Sequence, residues 1–280
     1  MKSLPKEREK IIKYLKPLAR ALTSRRYSPM IMQIYYTLKS ILYIGNQFVC
    51  PCCEGHFRKF LPFGVKQRLN AQCPRCGSLE RHRLLWLYLK NRTKFFSENL
   101  KVLHFAPEYC FQKTLRFMTN LDYISADIKS DLAMVKMDIT NISCKDDSFD
   151  IILCNRVLEH VKDDERAMRE LFRVLKPGGW AIIQVPIDLD KTFEDPNVLL
   201  PEERERVFGQ KDHVRIYGRD YKYRLEKARF TVKVDNYVEE LGADMIKKYG
   251  LMKNENIYFC TKPKPKEINE EGLRARVFRN

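Results

Sequence analysis

The chain is 280 residues long, 44% hydrophobic and 31% charged, with a formal net charge of +16. This reads as a soluble globular protein with room for one sizeable domain and an accessory module. Four of the nine cysteines form two C-x-x-C pairs and the others show no pairing pattern, which argues against an oxidised disulfide framework and for a reducing cytoplasm. The charge is uneven: residues 1–100 carry 20 Lys and Arg against 5 Asp and Glu, whereas residues 101–280 are nearly balanced at 32 against 31. Attraction for phosphates, nucleic acid or anionic lipid therefore belongs to the first third.

Residues 1–46 are expected to form basic N-terminal helices. Residues 5–22 predict one interrupted near Pro17, and residues 29–44 a more apolar one. The second is shorter than the ~20 residues that a bilayer span needs. It either packs on its own domain or lies on an anionic membrane surface, helped by the basic residues before it. The charged opening segment predicts no secretory signal.

Residues 47–78 read as a zinc ribbon. Cys50 and Cys53 form one knuckle, and Cys73 and Cys76 the second. Each knuckle offers two thiolates from one tight turn, and two knuckles complete a tetrahedron with no open position, so the metal is structural. Cys52 is a spare thiol. The run from His56 to Phe63 has the alternating, aromatic look of a ribbon hairpin. Residues 79–100 are expected to hold a linking helix, N-capped by Ser78 and apolar through Leu84, Leu85, Leu87, Tyr88 and Leu89. Glu80, Arg81, His82 and Arg83 are open to two readings, interdomain ion pairs or a grip on an anionic substrate.

From Lys101 the pattern alternates. Strands are predicted at 101–105, 122–127, 135–138, 149–155 and 180–185, with a helix over 163–175 whose first turn is acidic. Strands that end in polar residues, with helices between them, predict an α/β Rossmann-like fold: a seven-stranded, mostly parallel sheet with helices on both faces and a ligand at its carboxyl edge. Residues 186–227 are a charged insertion expected to cover a substrate. Two late strands follow near 230–238 and 256–261, and residues 262–280 read as a flexible tail.

Asp127 and Asp138 at strand ends, the run Val157-Leu158-Glu159-His160-Val161 and the later Leu175-Lys176-Pro177-Gly178-Gly179 resemble class I S-adenosylmethionine-dependent methyltransferases, in particular the methyltransferase type 11 group. The resemblance covers residues 101–261. The knuckles, followed by GSLERHRLLWLYL and VLHFAPE, look like a bacterial and archaeal subgroup with an N-terminal zinc ribbon.

The resemblance implies that S-adenosylmethionine is bound by residues His104 to Glu108 (His104, Phe105, Ala106, Pro107, Glu108), by Asp127 and Ile128, by Asp138, Ile139 and Thr140, and by Asn155, Arg156 and Val157. Asp127 would accept hydrogen bonds from the two ribose hydroxyls, and Asp138 with its two successors would meet the adenine edge. Asn155 and Arg156 would stand beside the sulfonium. The sequence departs from the family after the first strand. Where a glycine-rich turn is usual, Ala106 carries a Cβ and Pro107 lacks an N–H. Either this loop has its own solution, with His104 or Glu108 taking part, or cofactor binding is weakened or lost.

Methyl transfer is a displacement that needs alignment and, for some acceptors, a base. His160, Asp188 and His213 are the candidate catalytic groups, with His213 and Arg215 expected to face the substrate. Asn155-Arg156-Val157 is not the Pro-Pro-aromatic turn associated with amide or base-nitrogen methylation, and Cys154 lacks the preceding proline of cytosine-C5 enzymes. The leading expectation is a small-molecule or glycan-type acceptor. RNA held by the basic zinc module is the alternative, and a non-catalytic binding protein with a degenerate cofactor site is the third. With no G-x-G-x-x-G present, a dinucleotide dehydrogenase is set aside.

Overall fold

The computed structural model describes residues 28–64 and 67–264; the basic segment expected to be helical over 5–22 and the tail beyond 264 lie outside it. The chain divides into two compact units. The first comprises the described residues up to Asn99, Pro107–Leu121 and Asp235–Ile257; the second comprises Leu100–Ala106, Asp122–Val234 and the described residues from Tyr258. The division crosses the boundary expected at residue 101, because two later segments group with the N-terminal part.

Helix α1 spans Ser28–Ile41, and its Ile34, Leu38 and Ile41 are exposed at spacings that share one face. Four short strands follow: β1 (Ile44–Val49), β2 (His56–Phe57), β3 (Leu61–Phe63) and β4 (Arg68–Gln72). β2 pairs antiparallel with β1, and β3 with β4. The stretch from His56 to Phe63 is therefore not one hairpin. It contributes a strand to each of two separate ribbons. Helix α2 (Glu80–Arg92) starts after Leu79 rather than Ser78, and the Leu79 N–H donates to His82 Nδ1 at 3.2 Å. This is half of a capping box, built with an imidazole in place of a carboxylate.

The sheet opens with β5 (Leu100–Phe105), followed by α3 (Tyr109–Leu115), β6 (Leu121–Asp127), β7 (Val135–Lys136) and β8 (Phe149–Asn155). A single 3-10 turn at Leu158–His160 leads to α4 (Asp164–Val174), capped where Asp163 accepts the Arg166 N–H at 2.8 Å. β9 (Leu175–Gln184) begins five residues before the expected Trp180 and contains the Pro177-Gly178-Gly179 run. It requires glycine at 179, where a Cβ would lie 2.8 Å from the Asp150 carbonyl. The insertion folds as β10 (Ile187–Leu189), β11 (Phe193–Glu194), α5 (Pro201–Phe208), β12 (Arg215–Gly218) and α6 (Tyr221–Lys227). β13 (Thr231–Asp235), α7 (Tyr237–Glu240), α8 (Gly242–Tyr249) and β14 (Ile257–Thr261) complete the described chain.

The seven-stranded sheet has the order β13-β14-β9-β8-β5-β6-β7. β5 with β8, β8 with β9 and β6 with β7 are parallel, while β14 runs antiparallel to β9. This is the expected Rossmann-like α/β architecture. The order reverses between β5 and β8, which places the ligand crevice of such sheets at the carboxyl ends of those two strands. Ile151 to Asn155 of β8 are all buried, as a central strand covered on both faces requires. One core of the second unit joins Leu103, Ile152, Ala181 and Ile183 of the strands to Met168, Leu171 and Phe172 of α4. Tyr217, Tyr221 and Leu225 of the insertion close the same core.

In the first unit, Arg83 is fully buried. It donates to the carbonyls of Ala71 (2.9 Å), Ser78 (2.8 Å), Tyr249 (2.6 Å) and Gly250 (2.6 Å). Its guanidinium also lies 4.3 Å from the Phe60 ring centre. Arg83 thus joins three stretches of backbone within the first unit. Glu80 pairs with Arg68 at 3.0 Å, again within the first unit. No helix among the described residues is long and apolar enough to cross a membrane.

Candidate functional site

The crest of the sheet lies where β5 and β8 end. Phe105 and Cys154 are in register, so the residues that follow them leave adjacent strands together. Ala106 has φ +48° and Arg156 has φ +58°, both in the left-handed region that residues with a Cβ seldom occupy. Each is pinned by its own amide: Ala106 N–H donates to the Ala126 carbonyl of β6 at 2.9 Å, and Arg156 N–H to the Gln184 carbonyl of β9 at 2.8 Å. Ala106 therefore takes the conformation for which such turns normally recruit glycine. Pro107 is buried, and Glu108 is the residue before α3, whose first-turn amides of Phe111 and Gln112 donate to the Glu108 carbonyl.

His104 and Phe105 are placed differently from the expectation. His104 is fully buried within the sheet, its Nδ1 2.9 Å from the Tyr123 hydroxyl, and Phe105 belongs to the core. Both side chains are buried in the second unit rather than presented to a ligand.

At the end of β6, Asp127 is half-buried, and its Oδ1 accepts the N–H groups of Lys129 and Ser130, both at 2.7 Å. That fixes the carboxylate and leaves its second oxygen available as an acceptor. Asp138 repeats the pattern: its Oδ1 accepts the Thr140 N–H at 2.8 Å and hydroxyl at 2.9 Å. Ile128 is 59% exposed, whereas the Ile139 side chain belongs to the core. Only the backbone of Ile139 is available to a ligand. The loop carrying these residues is tied to α4. Glu170 accepts the Ile142 N–H at 2.9 Å and both ends of the Arg173 guanidinium at 2.7 Å, while Arg173 donates to the carbonyls of Ile142 and Cys144.

At the end of β8, Asn155 is buried, and beyond it Val157 packs against the core. The 3-10 turn then presents Glu159 and His160, and the insertion brings in His213. The His160 and His213 rings lie edge to face with centres 4.8 Å apart. Glu159, His160 and His213 each offer a donor atom within 4.8 Å of the others. Burial lowers the His213 pKa, and the neighbouring His160 adds to the effect. Asp188, on exposed β10, is not part of this group.

The expectation that Arg215 faces a substrate does not hold. Its side chain is only 4% exposed and is used up by protein partners: Glu194 at 2.9 Å and the carbonyls of Leu158 and Lys162 at 2.9 and 2.8 Å. It fixes the turn that carries Glu159 and His160. Asp164, which the sequence did not single out, anchors the same region. It is buried and accepts from Tyr217 at 2.6 Å and from Arg224 at 2.7 Å. An acidic residue in a helix's first turn carries no sign of such a task.

In the first unit, Cys50, Cys53, Cys73 and Cys76 converge with their sulfurs mutually within 4.8 Å. Cys50 and Cys76 are 3.6 Å apart and Cys53 and Cys73 3.7 Å, with all four thiols unbridged. A tetrahedron of sulfurs about 2.3 Å from a zinc ion has edges of about 3.8 Å, so the donor set fits that metal. Cys52 lies outside the group, its sulfur directed to the His82 carbonyl at 3.8 Å.

Residues 112–183 match the model of a methyltransferase domain. Among curated relatives, a ubiquinone/menaquinone biosynthesis C-methyltransferase UbiE of Vibrio campbellii is 28% identical over 126 residues, 42% of this chain and 46% of the relative. A demethylmenaquinone methyltransferase of Streptomyces avermitilis is 40% identical over 52 residues, 19% of this chain and 22% of the relative. The chain thus spans less than half the length of these relatives. Among solved structures, the [4+2]-cyclase SpnF aligns over 85% of this chain and 97% of its own at 15% identity, with a TM-score of 0.43. A complex between the Haloferax volcanii Trm112 methyltransferase activator and a putative methyltransferase includes a chain aligned over 59% of this one and 84% of its own, at 15% identity and a TM-score of 0.40.

Proposed function

We propose that the protein is an S-adenosylmethionine-dependent methyltransferase of the class I type, acting on a small-molecule or glycan-type acceptor. The observation that carries this reading is the crest of the sheet. There a left-handed Ala106 replaces the usual glycine, next to an Asp127 carboxylate held by two amides with one oxygen to spare. The match of residues 112–183 to a methyltransferase domain supports it.

In this reading Asp127 accepts the ribose hydroxyls, and the Asp138–Thr140 turn meets the adenine. Ala106 flanks the methionine part, and Asn155, Arg156 and Val157 border the reacting end. The cofactor, when bound, supplies a methyl group on a sulfonium that is open to direct displacement. The chain's own residues align the acceptor with it. His160 and His213 form the acceptor side of the site; Asp188 stays a candidate base only if the insertion moves. The four-cysteine cluster holds a structural zinc. The protein works in the cytoplasm, where α1 either packs on its own domain or lies with its exposed Ile34, Leu38 and Ile41 on an anionic membrane surface.

A second reading, RNA methylation, is favoured by one feature of the first unit. A groove of about 550 Å³ is lined by Asn46, Gln47, Val49, His56, Asp244, Lys247 and Lys248. Steeply salt-dependent RNA binding that is lost on Lys247→Ala/Lys248→Ala would move the acceptor from small molecule to nucleic acid.

Calorimetric titration of the zinc-loaded protein with S-adenosylhomocysteine tests the main reading. Saturable binding with one site per chain is expected. No detectable heat up to millimolar ligand overturns it in favour of a non-catalytic binding protein.

A further inference from the structure

We infer that Glu159, His160 and His213 form a binding site for a divalent transition-metal cation at the carboxyl end of β8, separate from the four-cysteine cluster. Two imidazoles and one carboxylate with donor atoms mutually within 4.8 Å are a ligand set suited to zinc, manganese or iron. Three protein ligands leave coordination positions open, whereas four thiolates leave none.

The surroundings are those that a metal-binding histidine requires. A ligating imidazole normally has its other nitrogen engaged by a carboxylate or a carbonyl, which fixes the tautomer and the ring plane. His160 has Asp212 at 3.2 Å from its Nδ1, which leaves the Nε2 lone pair for a cation. The two segments that supply the ligands are also locked together. Val214 N–H donates to the Glu159 carbonyl at 2.9 Å, and buried Arg215 holds the carbonyls of Leu158 and Lys162. The ligands are therefore preorganised rather than dependent on metal to assemble them. Glu159 and His213 are buried, while the His160 side chain is 33% exposed, so the site opens on one side.

This site also narrows the acceptor, and that step rests on the methyltransferase reading. A cation with open positions binds an oxygen donor and lowers the pKa of a hydroxyl. The acceptor is then a hydroxyl compound. Its O–H proton passes to water, the oxygen forms the new O–CH3 bond, and the S–CH3 bond of the cofactor breaks to leave S-adenosylhomocysteine. Histidines that hold the cation orient the acceptor rather than take its proton.

The test is titration of the zinc-loaded full chain with Mn2+, followed by electron paramagnetic resonance, and in parallel with Zn2+, followed by metal content. One further ion per chain is expected, with affinity lowered at least about tenfold in His213→Ala and in His160→Gln. His160→Gln is the safer variant because its side chain is partly exposed; its melting temperature and thiolate-bound zinc should match those of the native chain. If neither metal adds an ion to the native chain, or if both variants bind it as well as the native chain, the site is refuted. S-adenosylhomocysteine titration of the same sample separates the two readings. Cation binding without cofactor binding would overturn the methyltransferase and leave the metal site standing; the reverse would do the opposite.

Discussion

Ala106 and Arg156 leave adjacent parallel strands with the same left-handed backbone, and each donates its amide to the strand on its outer side. A left-handed residue with a Cβ costs roughly 1–2 kcal/mol. Two such residues at neighbouring strand tips, at the point where the sheet order reverses, are stored strain of the kind that accumulates at ligand sites. Ala106→Gly should therefore keep cofactor binding and change stability by no more than about 1 kcal/mol, since relief of strain is offset by the greater freedom of the unfolded chain. Ala106→Val puts a β-branched side chain where none fits, and should lower S-adenosylhomocysteine affinity at least about tenfold, equivalent to ~1.4 kcal/mol. Equal affinities of the two variants by calorimetry would show that the loop conformation is irrelevant to binding.

Asp127 has two tasks, which a pair of substitutions can separate. Its Oδ1 caps the turn at Lys129 and Ser130, and its other oxygen is the proposed ribose acceptor. Asp127→Asn keeps a cap but loses charge and one acceptor; Asp127→Ala loses both. A hydrogen bond to a charged group contributes about 1.5–3 kcal/mol, so Asp127→Ala should weaken S-adenosylhomocysteine by roughly 10- to 150-fold. Asp127→Asn should fall between that and the native chain. Native-like affinity in Asp127→Ala would remove this residue from the site.

Much of this was legible in the sequence because strand ends announce themselves. An apolar run that stops on Asp127 or Asn155 has to end at a polar crest, and parallel connections put those ends on one edge. The left-handed Ala106 was not legible, since turn chemistry is read from glycine and this turn has none. Arg215 was misjudged for a different reason: an arginine that grips carbonyls and one that grips a ligand look the same in a charged insertion. His160 and His213 both stood out singly. Their meeting, and the company of Glu159, depends on how the insertion folds back onto the 3-10 turn. Arg83 was beyond reach too, because its partners at Tyr249 and Gly250 lie more than 160 residues away.

That long-range clamp makes Arg83 the most sensitive single residue of the first unit. Arg83→Ala leaves four buried carbonyls without their donors and should cost about 3–5 kcal/mol, in the range of losing one member of a buried charged pair. Arg83→Lys should not rescue it, because one ammonium cannot reach four carbonyls arranged around a planar fork. Gly250, left-handed at φ +58° and within 3.2 Å of the Arg83 guanidinium at its notional Cβ, should tolerate alanine no better. Urea unfolding of the zinc-loaded variants checks this. A loss under about 1 kcal/mol in Arg83→Ala would mean that water replaces the clamp.

The acid side of the stability profile should report on Glu170. The Arg173 guanidinium, followed by the Ile142 N–H, holds its carboxyl below the usual carboxylate range. Its side chain is 19% exposed, so solvent screens the pair only in part. A carboxyl whose folded pKa is depressed contributes stability above its unfolded pKa of about 4.3, and loses it as pH falls through the lower folded value. At about pH 7, Glu170→Gln should be less stable than the native chain by roughly 1–3 kcal/mol, and that gap should shrink below about pH 4, where the native carboxyl also protonates. The same pair pins the loop after Asp138, through Arg173 to the carbonyls of Ile142 and Cys144. Glu170→Gln should therefore weaken S-adenosylhomocysteine at neutral pH without touching the ligand. Urea midpoints at the two pH values decide the electrostatic part: a gap of the same size at both would mean that Glu170 acts by packing alone. Unchanged cofactor affinity would mean that the loop holds its place without the clamp.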